Sequence, residues 1–373
     1  MQYRINPLLE ALTYLNRRAN GSTAAEFAAE LAERSPEHRT RIETAAAPVI
    51  HLQKKLDLLP ADEGLLKLFF GEFKTETAAA YPAPGFGCNA AAFFFTECLY
   101  WNYSSFDALA ARCAARTDEE RITAFLTALL DSCEMLPDEC EKGFARFFDA
   151  LGKKNFSAND KLTVIDMLTH YSKRFESLCT LLRPFIDAIA EASDIYLPTI
   201  HEFNSLYPCP DDAAAHFEEL LNTKLPRGGA LTIRPYLFGF DKYICAFSDP
   251  EKSADFTANL YIGALYEDLR RVNTLAVSPR SVAHLAKAIS DPSRLELLCA
   301  IRTKAAYGQE LAERTELFPT TVSHHMAKLL DAGFVESVPE QGKNFYVLNK
   351  NGVRRFLKSV EQLLLEEEKR GNL

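Results

Sequence analysis

The stretch from Pro279 to Leu348 constrains the fold more than any other, because it sets short helical patterns between sharp stop signals and ends on strand-like runs. Val282, Leu285, Ala286 and Ile289 recur at three- and four-residue spacing and define one helical face. Asp291 then offers an N-cap carboxylate, and Pro292 suits a first helical position, where a missing N–H costs nothing. A short helix is expected over residues 309–314, a turn over 317–319 and a longer helix over 320–333. In that last helix Val322, Met326, Leu329 and Leu330 fall at i, i+4, i+7 and i+8 and should pack inward. Thr320, Thr321, Ser323, His324, His325 and Lys328 are left for the other side. Hydroxyls and imidazoles near a helix N-terminus suit base edges and phosphates in a major groove. Gly333 is placed to stop the helix. Residues 334–338 and 345–348 read as a hairpin around a basic tip, 339–344.

With these residues in order, the segment resembles the winged helix-turn-helix of ArsR-type bacterial transcriptional regulators. The resemblance is carried by Asp291-Pro-Ser-Arg294 with Leu295, Leu297 and Leu298, by Glu310-Leu-Ala312, and by Thr321-Val-Ser-His-His325. It continues through Leu329, Ala332-Gly-Phe-Val335 and Gly342-Lys343 before Tyr346. It implies a homodimer on double-stranded operator DNA, with the second helix of the motif in the major groove and the wing at the adjacent minor groove. DNA contacts are therefore expected from Gln309, Thr320, Thr321, Ser323, His324, His325 and Lys328, and from Lys343 and Asn344 on the wing. Beyond the wing, Val353, Phe356, Leu357, Val360 and Leu364 form an apolar stripe on a final helix. This stripe, with the 282–289 helix, is the expected dimer contact; the alternative is that it docks on the same chain's N-terminal domain.

The signal should not be a metal ion. Metal-sensing relatives resemble one another in a cysteine pair on the helix before the recognition helix, and here that stretch is Tyr307-Gly-Gln-Glu310. Others place ligands on the last helix, and residues 353–369 hold neither His nor Cys. His324 and His325 are adjacent, so their side chains diverge by about 100° on a helix. No cofactor or metal is expected. A switch should act through residues 1–270, by a small organic molecule or a protein partner.

Those residues read as a large, mainly α domain ending in a small antiparallel β-sheet over about 230–264, followed by a DNA-binding domain over 278–373. Thr23-Ala-Ala-Glu26 matches a capping box. Ser157 should open a long helix carrying Leu162, Ile165, Leu168, Tyr171, Phe175, Leu178 and Leu182 on one face, kinked or ended by Pro184. Past Arg227-Gly-Gly229, residues 231–233, 236–240, 243–247 and 258–263 read as strands, and 267–278 as a linker. Ile5-Asn-Pro-Leu-Leu-Glu10 and Ile233-Arg-Pro-Tyr-Leu237 are similar to an uncharacterised domain found ahead of ArsR-type modules, which brings no function with it.

Charge supports the division. The chain carries a net −9, yet residues 279–358 hold 12 Lys and Arg against 8 Asp and Glu, a net +4 that leaves −13 for the rest. That acidic balance argues against a non-specific architectural DNA binder. Nine scattered cysteines without a C-x-x-C fit reduced thiols, and no apolar run reaches membrane-span length, so a cytoplasmic protein is expected. Gly85-Phe-Gly-Cys-Asn-Ala90 fits a dinucleotide fingerprint only formally, since Tyr81-Pro-Ala-Pro84 cannot form the strand it needs. The cluster Phe93, Phe94, Phe95, Tyr100, Trp101 and Tyr103 is expected to be core rather than pocket. No catalytic constellation is legible, so an enzyme is not expected. The alternative is an enzyme with a DNA-binding appendage that controls its own gene.

Overall fold

The computed structural model describes residues 5–73, 89–95, 105–129, 143–154, 156–206, 210–221, 230–247, 257–275, 279–340 and 343–365. Residues 85–88, Tyr100, Trp101, Tyr103, residues 227–229 and Gln341-Gly342 lie outside them. The chain divides into two compact units: Met1–Ala213 with Pro226–Tyr266, and Ala214–Leu225 with Glu267–Leu373.

The first unit contains α1 (Pro7–Asn20), α2 (Ala24–Arg34), α3 (Arg39–Asp57), α4 (Glu63–Phe70), α5 (Phe106–Ala114), α6 (Asp118–Leu129), α7 (Phe144–Lys153), α8 (Ala158–Thr169), α9 (Tyr171–Glu191) and α10 (Ser193–Leu206). The start of α11 (Pro210–Leu221) also belongs to it, as do β1 (Ala230–Tyr236), β2 (Tyr243–Phe247) and β3 (Thr257–Gly263). Local signals set most helix starts. Asn6, Thr23, Asp62, Ser105 and Ser157 each accept a backbone N–H in the first turn of the helix they open; Thr23 does so from Glu26, whose carboxylate accepts from the Thr23 hydroxyl rather than from the Thr23 amide that a full capping box would use.

Helix α1 is buried from Leu8 to Asn16, so its polar side chains need internal partners. The Glu10 carboxyl group accepts from the Leu237 and Phe238 amides, both at 2.8 Å. The Thr13 hydroxyl meets that of Tyr236, and Asn16 accepts from Asn89 at 3.0 Å. Arg17 donates to the Phe238 carbonyl, pairs with Asp241 and lies 3.8 Å from the centre of the Phe240 ring. The two N-terminal-domain segments singled out by resemblance thus meet at Glu10. A second core is aromatic: Phe93, Phe94 and Phe95 are buried among Phe69, Phe125, Tyr171 and Phe175.

Several expectations need correction. The sheet is mixed, in the order β1-β3-β2: β2 runs antiparallel to β3, but β1 runs parallel to it. The reason lies in residues 237–242. Their backbone groups are claimed by Glu10 and Arg17, by Gly263 at the end of β3 and by Leu265 just past it, so β1 and β2 do not close as a hairpin and β3 enters between them. Residues 237–240 consequently form turn rather than strand. The helix expected from Ser157 breaks at His170, whose ring and Arg174 both bind the Asp166 carboxylate, and Leu162 is 64% exposed. Of the two outcomes expected at Pro184, the ending does not occur: α9 runs through it. That proline is exposed, while Leu181, Leu182, Phe185 and Ile186 around it are buried, each contributing about 1.5–3 kcal/mol against a proline cost of about 3 kcal/mol.

The second unit holds most of α11, then α12 (Tyr266–Leu275), α13 (Pro279–Ile289), α14 (Pro292–Ala300), β4 (Ala306–Tyr307), α15 (Gly308–Thr315), α16 (Pro319–Asp331), β5 (Val335–Glu340), β6 (Lys343–Leu348) and α17 (Lys350–Leu364). The expected linker is therefore largely helical, with Glu267 and Asp268 in the favourable first turn of α12. β6 is central in a three-stranded antiparallel sheet, pairing Val335–Glu340 on one side and Ala306–Tyr307 on the other. The strands run to Glu340 and Lys343, so the wing tip is tighter than the six residues expected. Gly333 ends α16 in the left-handed region at φ 74°. Gly352 lies against it: a Cβ there would stand 1.9 Å from the Gly333 carbonyl oxygen.

Candidate nucleic-acid interface

Two residues of the Asp-Pro-Ser-Arg segment build the corner under the recognition helix. Asp291 caps α14, accepting from the Ser293 amide at 2.9 Å and the Arg294 amide at 3.3 Å. The Arg294 side chain, 8% exposed, turns back onto α13. It donates to the Lys287 and Ala288 carbonyls and sits 3.5 Å from the Asp291 carboxylate. Those carbonyls belong to the last turn of α13, where no intrahelical partner exists. One guanidinium therefore locks α13 to α14.

Helices α15 and α16 are joined by a three-residue turn, Glu316-Leu-Phe318. Glu316 takes the left-handed conformation at φ 55°, Phe318 is the extended N-cap of α16, and Pro319 opens the helix. Phe318 offers no side-chain cap, so nothing in its own side chain covers the first amides of α16. At the other end Arg270 of α12, 4% exposed, donates to the carbonyl of Asp331, the last residue of α16, with the Asp331 carboxylate 3.7 Å away. A cation there complements the helix dipole. His216 of α11 lies 3.8 Å from Glu267 of α12.

The inward face of α16 is as expected for Val322, Met326 and Leu329, all buried. On the outward side the structure is selective. Lys328 and Gln309 are exposed, and Thr320, Thr321 and Asn344 are half-exposed. Lys343 opens β6, its side chain lying outside the described residues. Ser323, His324 and His325, expected on the open face, are instead 7–8% exposed. The physical reason is that α16 packs against α13 and α14 as well as α15 and β5, which covers more of its circumference than a one-sided stripe; the charges of Asp291 and Arg294 act on both imidazoles. His324 Nε2 and His325 Nδ1 are buried without a hydrogen-bond partner. Burial, with Lys328 and the neighbouring His325 and Arg294 charges, pushes His324 down to about 4. Burial also lowers His325, against the opposing pull of Asp291 and with smaller contributions from Arg294 and Lys328. Both rings are thus neutral at neutral pH.

The family model for bacterial regulatory proteins of the arsR family matches residues 291–337. Over 88 residues, 24% of this chain and 81% of the relative, the sequence is 32% identical to the arsenical resistance operon repressor of Staphylococcus xylosus. The chain belongs to the arsR family. As a member of it, the protein is a DNA-binding transcriptional regulator, and the family match covers α14 to β5. No solved structure matches the chain. Among the described residues of this arsR-family chain, no group of three or more His, Cys, Asp or Glu is arranged to hold a metal ion, and no helix is long and apolar enough to cross a membrane.

Sequence reasoning missed three features. It named Arg294 as part of a motif but gave it no task, although an arginine three residues after a helix cap is in reach of the preceding helix end. It passed over Phe318, a bulky apolar residue where a capping side chain belongs. Arg270 fell in a stretch taken for linker and left no local signal.

Proposed function

We propose that this chain is a sequence-specific repressor that binds operator DNA as a cytoplasmic homodimer and is controlled through its first unit by an effector other than a metal ion. The observation that carries the reading is α16 itself: within an arsR-family module its N-terminal turn is uncapped, and Thr320, Thr321 and Lys328 retain access to solvent. Gln309 on α15 and Asn344 on β6 are placed on the same module and would add contacts. Ser323, His324 and His325 would contribute by fixing the seat of α16, with base contact falling to the threonines. Lys343 would meet phosphate at the wing.

Dimerisation draws support from what the chain leaves uncovered. Val282, Leu285, Ala286 and Ile289 on α13 are only half-buried, and on α17 Leu357 and Leu364 are 59% and 70% exposed. Val353 and Val360 are half-buried, whereas Phe356 is buried against Phe334 in the chain's own fold. The remaining stripe suits a second copy, which would set two recognition helices about 34–36 Å apart.

Control through the first unit draws support from α12, which follows β3 after only Ala264 and Leu265 and carries the arginine that grips the end of α16. An effector shifts operator affinity only by its differential affinity for the two states of the protein.

The test is a footprint on DNA upstream of the protein's own gene, followed by titration of the bound complex with zinc, cadmium and arsenite. A salt-sensitive footprint with unchanged affinity is expected. A tenfold loss with any of these ions, about 1.4 kcal/mol, sinks the non-metal reading. Monomeric sedimentation at micromolar concentration sinks the dimer.

A further inference from the structure

We propose that Phe318 reads a thymine: its ring packs on the 5-methyl group of a thymine in the major groove, beside the base pairs met by Thr320 and Thr321. The proposal rests on the operator-binding reading above and adds to it the residue that selects an A·T pair.

Phe318 is 73% exposed, more than Phe144 or Phe148, the other exposed phenylalanines among the described residues. Among the described residues its side chain meets no other ring, and it occupies the N-cap of α16, where a serine or aspartate would satisfy an amide. The position is not loose. Thr315 closes α15 through its hydroxyl, Glu316 is held in the left-handed region, the Phe318 carbonyl accepts from the Val322 amide at 3.0 Å, and Pro319 fixes the next φ. A rigid turn therefore presents a bare aromatic ring at the entrance of the helix whose N-terminal residues approach base edges.

In the major groove only an A·T pair presents a methyl group, that of its thymine, and phenylalanine is among the side chains that contact it. Exposed aromatic surface that gains a partner only on DNA contributes nothing to the free protein and everything to the complex. The absent side-chain cap fits the same arrangement, because the uncovered amides of α16 are then left to a phosphate oxygen.

The experiment starts by selecting the operator from a random DNA pool with the full-length wild-type protein. Each thymine of that operator is then replaced by uracil, which removes only the methyl group, and binding is compared for wild type, Phe318→Ala and Phe318→Ser. The expected result is one thymine per half-site at which uracil weakens wild-type binding about fourfold, the worth of one buried methyl. At that position the Phe318→Ala protein should show no loss. Phe318→Ser, which restores a capping hydroxyl and so keeps the helix formed, should be equally blind to the methyl. Thymines elsewhere should behave alike in all three proteins. If every thymine is indifferent to the identity of residue 318, or if Phe318→Ala binds as tightly as wild type, the proposal is wrong while operator binding stands. If Phe318→Ala instead changes the oligomeric state in sedimentation, the ring belongs to a protein contact and the proposal is equally wrong. A wild-type protein that selects no sequence overturns the operator-binding reading itself, and this inference with it.

Discussion

Replacing Arg294 by methionine preserves length and apolar volume but removes everything the guanidinium does. In the structure that is two hydrogen bonds to carbonyls at the end of α13, the Lys287 one at 2.9 Å, and an ion pair with Asp291 at 3.5 Å. A hydrogen bond from a charged donor contributes about 1.5–3 kcal/mol, and the pair with Asp291, whose side chain is 34% exposed, adds only about 0–1 kcal/mol. Lys287 is exposed, so water recovers part of the loss at its carbonyl. A net destabilisation of about 3 kcal/mol follows. With two compact units a single global midpoint would blur this, so the suitable measurement is hydrogen exchange of the α13 and α14 amides in the full-length protein. Arg294→Met should speed their exchange by about a hundredfold. Arg294→Lys, which keeps the charge but can serve only one carbonyl at a time, should fall in between. Operator affinity should drop in the same order, since this corner seats α16. Exchange in Arg294→Met within threefold of wild type would mean that the guanidinium does not hold the corner.

Other predictions concern titration and close packing. Burial raises the Glu10 carboxyl from 4.5 to about 8. Between those values the unfolded chain ionises while the folded one keeps its proton, so stability should fall as pH rises through the window, by up to about 1.4 kcal/mol per unit. Urea unfolding of the first unit at pH 5 and pH 8 checks this; Glu10→Gln should flatten the slope, and a wild type that gains stability with rising pH would contradict it. His324 behaves oppositely: its folded value of about 4 lies below the ordinary 6.5, so stability should be lost as pH falls through that interval and His324→Gln should lose less. Amide exchange of the second unit at pH 7 and pH 5 reads the difference. Gly352→Ala must push against the Gly333 carbonyl, and a cost of about 1–3 kcal/mol should appear as faster exchange in α17.

How far the sequence could be read depended on how far apart the deciding residues lie. Caps at Thr23, Ser157 and Asp291, the stop at Gly333 and the wing strands are written within a few neighbouring residues, and the structure forms them. The parallel pairing of β1 with β3 is decided by Glu10 and Arg17, more than two hundred residues upstream of the turn they hold, and no local pattern announces it. The passage of α9 through Pro184 is likewise a matter of what its flanking side chains bury. At the DNA-binding site, periodicity separated Val322, Met326 and Leu329 from the rest of α16. It could not show that Ser323, His324 and His325 are covered as well, because that depends on the elements packed around α16 rather than on the sequence of α16 itself.

The division of the chain carries a consequence for its synthesis and its cleavage. Residues 214–225 belong with the DNA-binding unit, yet 226–266 return to the first unit before the chain crosses over again at Glu267. As the polypeptide leaves the ribosome, 214–225 must wait unpaired while β1, β2 and β3 complete the unit on either side of them. A protease cutting once near residue 278 releases a piece that has lost both α11 and Arg270, and a gene fusion joined there inherits the same defect. A single cut or junction in the chain therefore does not separate the two units.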